Sequence, residues 1–166
     1  MEKTPPDAEA IVAASAVTVS FRRQEFLFPK HEHVVLYTHP FPTPQYPELF
    51  HTSEVFDDDG VLLFCMEHLF RGFMQPQQYF HSGLYEYAKV FMRTYPELPV
   101  PVVEEDHWPV LERISGFSRE AVCDWIGLPD VSPRAVAVAY YFVFWETFQR
   151  EWPEVFEQME RIFSSG

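Results

Sequence analysis

The chain has 166 residues, a formal net charge of −13 and a hydrophobic fraction of 47%. Its 17 Phe, 8 Tyr and 4 Trp supply enough apolar surface to offset chain entropy, which excludes a wholly disordered protein. The 12 basic residues are scattered except at Arg22-Arg23, so no cation cluster is present to follow a phosphate backbone. The composition predicts one domain that binds neither nucleic acid nor an anionic membrane directly and that suits a basic protein partner.

The sequence predicts neither a secretion signal nor a membrane span. The N-terminus carries acids and prolines where a signal peptide needs positive charge, and the apolar run Ala135 to Trp145 is too short to cross a bilayer. Cys65 and Cys123 belong to no CxxC pair, which predicts buried free thiols. We therefore expect a cytoplasmic protein with a flexible leader at residues 1–15 and a single globular domain at residues 16–166.

The first regular element is predicted to be a β-hairpin. Val17, Val19 and Phe21 alternate with polar residues, which is the period of a half-buried strand. The apolar stretch from Val34 to Tyr37 then predicts a returning strand. The two strands would give a small N-terminal β element.

The rest of the chain has helical periodicity, with an N-cap or a proline before most segments. Predicted helices begin near Asp58 (Leu62, Met66, Leu69 and Phe73 buried) and near Pro76 (Phe80, Leu84, Ala88, Phe91 and Tyr95 buried), and others span Pro109 to Ser115, Arg119 to Ile126, Ala135 to Trp145 and the segment after Pro153. The fold class is therefore α+β, mainly α, with a helical core of about five to six helices and a small N-terminal β-hairpin.

The segment from Ala135 to Trp145 is apolar on every helical face. Such a helix lies either at the centre of a core or partly against another molecule. The second alternative predicts a homodimer that forms through this helix.

The seven histidines carry an enzymatic alternative. His31 and His33 are two residues apart, so on a strand they would point to the same side and could share a divalent metal such as zinc. A third ligand would come from His68, His81 or His107. No HExxH, GxGxxG, GxxxxGK[ST] or GxSxG motif accompanies them, and no catalytic residue or cofactor is predicted outside this metal-dependent alternative.

The leading hypothesis is a non-enzymatic acidic interaction module. It would be an inhibitor, immunity or regulatory protein that binds a basic, nucleic-acid-handling partner, in one version as a mimic of DNA. Exposed aromatic anchors surrounded by carboxylates are expected at its interface. The candidate residues are Asp57, Asp58, Asp59, Tyr85, Tyr87, Glu104, Glu105, Asp106, Trp108, Glu154 and Glu157.

Overall fold

The computed structural model describes residues 6–20 and 28–164. Within these residues the helices are α1 (Pro6–Ser20), α2 (Met66–Met74), α3 (Ser82–Thr94), α4 (Trp108–Ser115), α5 (Arg119–Ile126), α6 (Pro133–Val143), α7 (Trp145–Glu151) and α8 (Pro153–Phe163). The strands are β1 (His33–Tyr37), β2 (Ser53–Phe56) and β3 (Val61–Cys65), and a 3₁₀ helix spans Glu105–His107. The mainly helical α+β class is confirmed, with more helices than predicted.

The predicted N-terminal hairpin is wrong, because the segment from Pro6 to Ser20 is a helix. Ala8, Ile11, Ser15 and Val19 are spaced three or four apart and are buried on one face of it. The strand-like alternation of Val17 and Val19 was a weaker signal than this 3.6-residue period and the high alanine content. Part of the expected leader therefore lies in α1, and Phe21 lies outside the described residues. The division into a leader and one domain stays a prediction.

The three strands form one sheet in the order β1-β3-β2. β1 pairs with β3 in parallel, from His33 opposite Val61, whereas β2 and β3 are antiparallel. The residues expected in the first part of a helix after Asp58 form β3 instead, and the helix begins only at Met66. A short apolar run directly after a glycine turn fits a buried strand better than a helix start.

The C-terminal region is divided into three helices where fewer were predicted. The break at Trp152 was expected, since a residue before proline avoids the helical conformation. A second break falls at Phe144, whose backbone leaves the helical region at φ −117° and ψ 47°. The N-cap pattern of the sequence is confirmed at α5 and α6, where the hydroxyls of Ser118 and Ser132 accept backbone N–H bonds. Gly127 ends α5 in a left-handed conformation at φ 87°.

Helices α3 and α6 form the centre of the core, and α3 packs against α1, α2 and α6. All side chains from Ala135 to Tyr141 are buried within the chain, which confirms the central position of α6. The homodimer through Ala135 to Trp145 stays a prediction, and in that range Trp145 is the exposed residue, at 45%. Cys65 is buried as predicted, whereas Cys123 is partly exposed.

No helix in the described part of the chain is both long enough and apolar enough to cross a membrane.

Candidate functional site

An acidic face is built by the 3₁₀ helix, by α5 and by the loop that follows α5. Arg119 connects these segments, because its Nε lies 2.9 Å from Glu105 Oε2 and its Nη2 donates to the Pro129 carbonyl over 3.2 Å. We define the acidic face by its exposed carboxylates, which are Glu104, Glu105, Asp106, Glu120, Asp124 and Asp130.

Two carboxylates of the acidic face repel each other, and one of them lies where the helix dipole disfavours it. Glu120 and Asp124 are four residues apart on the exposed side of α5, which is a repulsive spacing for like charges. Asp124 is also in the last turn of α5, at the negative end of the helix dipole. Within the described residues neither side chain forms an ion pair. Glu120 lies in the first turn, where the helix dipole favours it, so Asp124 is the charge that folding does not explain.

The remaining polar groups on α5 do not offer reactive chemistry. Arg119 is committed to Glu105, and this hydrogen bond raises the pKa of the guanidinium further. Burial raises the pKa of the Cys123 thiol, and Glu105 and Asp124 raise it as well, against the opposing effect of Arg119. A thiol kept protonated is a poor nucleophile. Neither Arg119 nor Cys123 therefore gives the acidic face an activated nucleophile.

A small apolar cleft adjoins the acidic face on the next side of α5. Its volume is about 160 Å³, and Tyr79, Phe117, Ala121 and Trp125 are among its lining residues. The rings of Tyr79 and Trp125 lie 5.3 Å apart. This apolar pocket and the carboxylates of Glu120 and Asp124 are therefore presented side by side by one helix.

The glutamates at the end of α7 and on α8 differ in their contacts. Glu154 and Glu157 are exposed. Glu151 pairs with Arg113, and Glu160 accepts hydrogen bonds from Trp145 Nε1, at 3.1 Å, and from the hydroxyl of Tyr141. Glu151 and Glu160 thus have structural partners, whereas the predicted candidates Glu154 and Glu157 face solvent.

The acids of the β2–β3 turn are also divided. Asp58 and Asp59 are exposed, but Asp57 is bound on both sides. Its Oδ1 lies 3.2 Å from His31 Nε2, and its Oδ2 lies 3.3 Å from Arg93 Nη1.

The expectation that Tyr85, Tyr87 and Trp108 are exposed anchors is wrong. Their exposed fractions are 3%, 4% and 6%. Burial raises the pKa of Tyr87 to about 12, and the Tyr85 hydroxyl accepts the backbone N–H of Ser132. Helix α3 is buried over most of its circumference, so its tyrosines belong to the core.

The histidines predicted as metal ligands are not brought together. His31 is buried just before β1, whereas His33 is exposed on that strand. His68 lies against the ring of Trp125, and His81 accepts the Leu84 N–H as the N-cap of α3. Burial lowers the pKa of His68, and it lowers the pKa of His81 to about 4. His107 accepts the N–H of Glu104. Across residues 6–20 and 28–164, no three His, Cys, Asp or Glu side chains form a group that could hold a metal ion.

One buried polar network was missed by the sequence analysis. His51 is fully buried, and its Nε2 lies 3.0 Å from Glu54 Oε1, which also accepts the hydroxyl of Thr43. The Nδ1 atom of His51 lies 2.8 Å from the Leu49 carbonyl. No spacing motif connects these residues, because a loop folding over the sheet brings them together.

Comparisons of the chain with protein-family models, with curated proteins and with solved structures found no match. The functional argument therefore rests on the residues of the chain itself.

Proposed function

We propose that the chain is a non-enzymatic acidic interaction protein that binds a basic protein partner through the acidic face. The observation that carries this proposal is the placement of Glu120 and Asp124. Their like-charge spacing opposes folding, the helix dipole disfavours Asp124, and neither forms an ion pair with described residues. Charges that weaken a fold persist at sites where binding needs them.

The surroundings of these two carboxylates support a protein partner. Protein interfaces combine a desolvated apolar centre with a polar rim. The cleft at Tyr79, Phe117 and Trp125 can receive one apolar side chain, and the neighbouring carboxylates can pair with basic groups around it. Complementary charge would accelerate association and make it sensitive to salt.

We propose further that the partner handles nucleic acid and that the chain acts as an inhibitor, immunity or regulatory protein. A groove that binds phosphates presents clustered cations, and exposed carboxylates could occupy it. The support is the concentration of exposed acids on the 3₁₀ helix and α5, where Arg119 is held by Glu105.

The direct test compares two double variants as baits in a pull-down. Glu120→Gln/Asp124→Asn neutralises the two exposed carboxylates of α5. Glu154→Gln/Glu157→Gln removes the same number of charges on α8. We expect a basic protein that is bound at low salt, released at high salt, lost with the α5 variant and retained with the α8 variant. A partner that is acidic, insensitive to salt, or retained equally by both variants would contradict the proposal.

Competition tests the nature of the partner. Duplex DNA added to the purified complex should displace the chain if the acidic face occupies a nucleic-acid site. A complex that binds DNA and the chain together would exclude the DNA-mimic version and would leave the basic-partner proposal to the variants above.

A further inference from the structure

A cleft on another part of the molecule is lined by groups that the acidic face does not use. Its volume is about 390 Å³, within the range of small-ligand sites. The lining residues are Pro29, Lys30, His31, Asp57, Arg93 and Thr94. They come from the turn before β1, from the β2–β3 turn and from the end of α3.

Backbone contacts hold two walls of this cleft together. The His31 N–H donates to the Phe28 carbonyl over 2.8 Å and closes the turn before β1. The β2–β3 turn packs directly on that turn, since a Cβ added at Gly60 would lie 1.7 Å from the Lys30 carbonyl oxygen. The side chains of the cleft are therefore presented by a preformed backbone.

Asp57 orients two cationic or potentially cationic groups in the cleft. One carboxylate oxygen lies 3.2 Å from His31 Nε2, and the other lies 3.3 Å from Arg93 Nη1. The side chain of His31 is only 4% exposed, and its Nδ1 has no hydrogen-bond partner. The His31 ring is thus enclosed, and through Nε2 it fixes the carboxylate that positions Arg93 at the cleft.

Lys30 gives the cleft a positive charge that no carboxylate of the described residues neutralises. It is exposed and forms no ion pair within the described residues. By contrast, Arg71, Lys89, Arg113, Arg119 and Arg150 all pair with carboxylates. Lys30 and Arg93 therefore outnumber Asp57 inside the cleft, in a chain whose other surfaces are mostly acidic.

We propose that this cleft binds the phosphate group of a small phosphate monoester. The remaining N–H groups of Arg93 and the ammonium group of Lys30 would donate to phosphate oxygens, as these two side chains do in phosphate sites. His31 would hold the Asp57 carboxylate at Nε2 and so keep Arg93 in position. Asp57 and the carboxyl end of α3 oppose an anion here, and Lys30 and Arg93 supply the positive charge against them.

The organic part of the ester is a polyol. A second cleft of about 340 Å³ shares Asp57 and Arg93 with the first. It is also lined by Gln45, Asp58 and Asp59, whose oxygens accept hydrogen bonds from hydroxyl groups. A ligand with phosphate in the first cleft would place its hydroxyls in the second.

The test measures binding of inorganic phosphate, glycerol 3-phosphate and glycerol to the full chain by titration calorimetry. We expect saturable binding of both phosphates at one site, tighter for glycerol 3-phosphate, and no binding of glycerol. Lys30→Gln should weaken both phosphates at least about tenfold, which is about 1.4 kcal/mol. Asp59→Asn should remove only the advantage of glycerol 3-phosphate over phosphate.

Two controls keep the result interpretable. Lys30 is exposed and forms no ion pair with a described residue, so its variant should unfold at the temperature of the parent chain. A loss of phosphate binding then reports the loss of the Lys30 ammonium group and not a loss of folding. Arg113→Gln removes a cation elsewhere and should leave phosphate binding unchanged. The proposal is overturned if neither phosphate binds saturably, or if Lys30→Gln binds as tightly as the parent chain.

Discussion

At the scale of single residues, two buried carboxylates in the described chain obtain partners from other segments. Glu86 on α3 is 1% exposed and accepts the hydroxyl of Ser53 on β2. Glu54 on β2 is bound by Thr43 and His51. Such groups are costly to bury alone, so each network connects one element to another.

His81 should make stability fall as the solution becomes acidic. Burial lowers its folded pKa to about 4, below the ordinary value of 6.5, so the unfolded chain takes up the proton first. The stability that the neutral His81 ring contributes is complete above pH 6.5, and it should decrease by about 3 kcal/mol as the pH falls from there through 4. Urea denaturation at a series of pH values measures it.

The matched variant is His81→Asn, which keeps an acceptor at the N-cap of α3 but does not titrate. Its stability should fall less between pH 6.5 and pH 4 than that of the parent chain, since proton uptake by His81 on unfolding is then absent while the other groups respond as before. Identical slopes for the two proteins would show that His81 does not control this dependence.

Two glycines separate backbone strain from steric contact. Gly60 and Gly116 both have positive φ, 65° and 81°, so alanine at either costs about 1 kcal/mol in conformational energy. A Cβ at Gly60 would also collide with the Lys30 carbonyl, whereas nothing lies within 4 Å at Gly116. Gly60→Ala should therefore destabilise the chain by at least about 2 kcal/mol more than Gly116→Ala. Equal losses in urea denaturation would contradict this packing.

At the scale of elements, α3 carries a half-buried charge pair whose carboxylate also binds Ser53 of β2. Lys89 Nζ lies 2.9 Å from Glu86 Oε2, with side-chain exposures of 34% and 1%. Burial alone would lower the pKa of Lys89, but Glu86 and Tyr85 raise it above its ordinary value. The ammonium group thus stays charged beside the buried carboxylate.

The two halves of this pair should differ in their cost of removal. Lys89→Met leaves the carboxylate of Glu86 buried without a counter-charge and should cost about 3 kcal/mol. Glu86→Gln keeps an acceptor for Ser53 and leaves Lys89 able to reach water, so it should cost about 1 to 2 kcal/mol. The double variant should cost less than the sum. The exposed pair of Arg71 and Glu67 provides the control, with a coupling of about 0.5 kcal/mol or less.

Helix ends could be predicted from the sequence because their determinants are local. The hydroxyls of Ser118 and Ser132 and the left-handed Gly127 act within one turn. The identity of α1 and β3 could not be predicted in this way. Both segments are apolar, and their conformation depends on which surfaces they bury against α3 and the sheet.

The candidate site was predictable to a similar extent. The exposure of Glu104 to Asp106 followed from their position in a polar connector, and the spacing of Glu120 and Asp124 was a readable but overlooked signal. The burial of Tyr85 was not readable, because it depends on how α3 packs between α1 and α6. The contact between Arg119 and Glu105 likewise requires the tertiary fold.

At the scale of the whole molecule, the net charge of −13 separates into acids that serve the fold and acids that oppose it. Glu86 and Glu160 hold elements together through buried or half-buried contacts. Asp124 lies at the wrong end of its helix, while Glu154 lies in the first turn of α8, where the helix dipole favours it. Neutralising an exposed acid should therefore change stability in a direction set by its position.

Asp124→Asn should stabilise the chain by about 0.5 to 1 kcal/mol, because it removes both the repulsion with Glu120 and the unfavourable dipole contact. Glu154→Gln should instead cost about 0.3 to 1 kcal/mol. Urea denaturation at low and high salt should show both effects shrinking with salt, since these charges are exposed. If Asp124→Asn destabilised the chain, this carboxylate would have a structural role. The opposite result, greater stability together with loss of the basic partner, would identify Asp124 as a charge kept for binding.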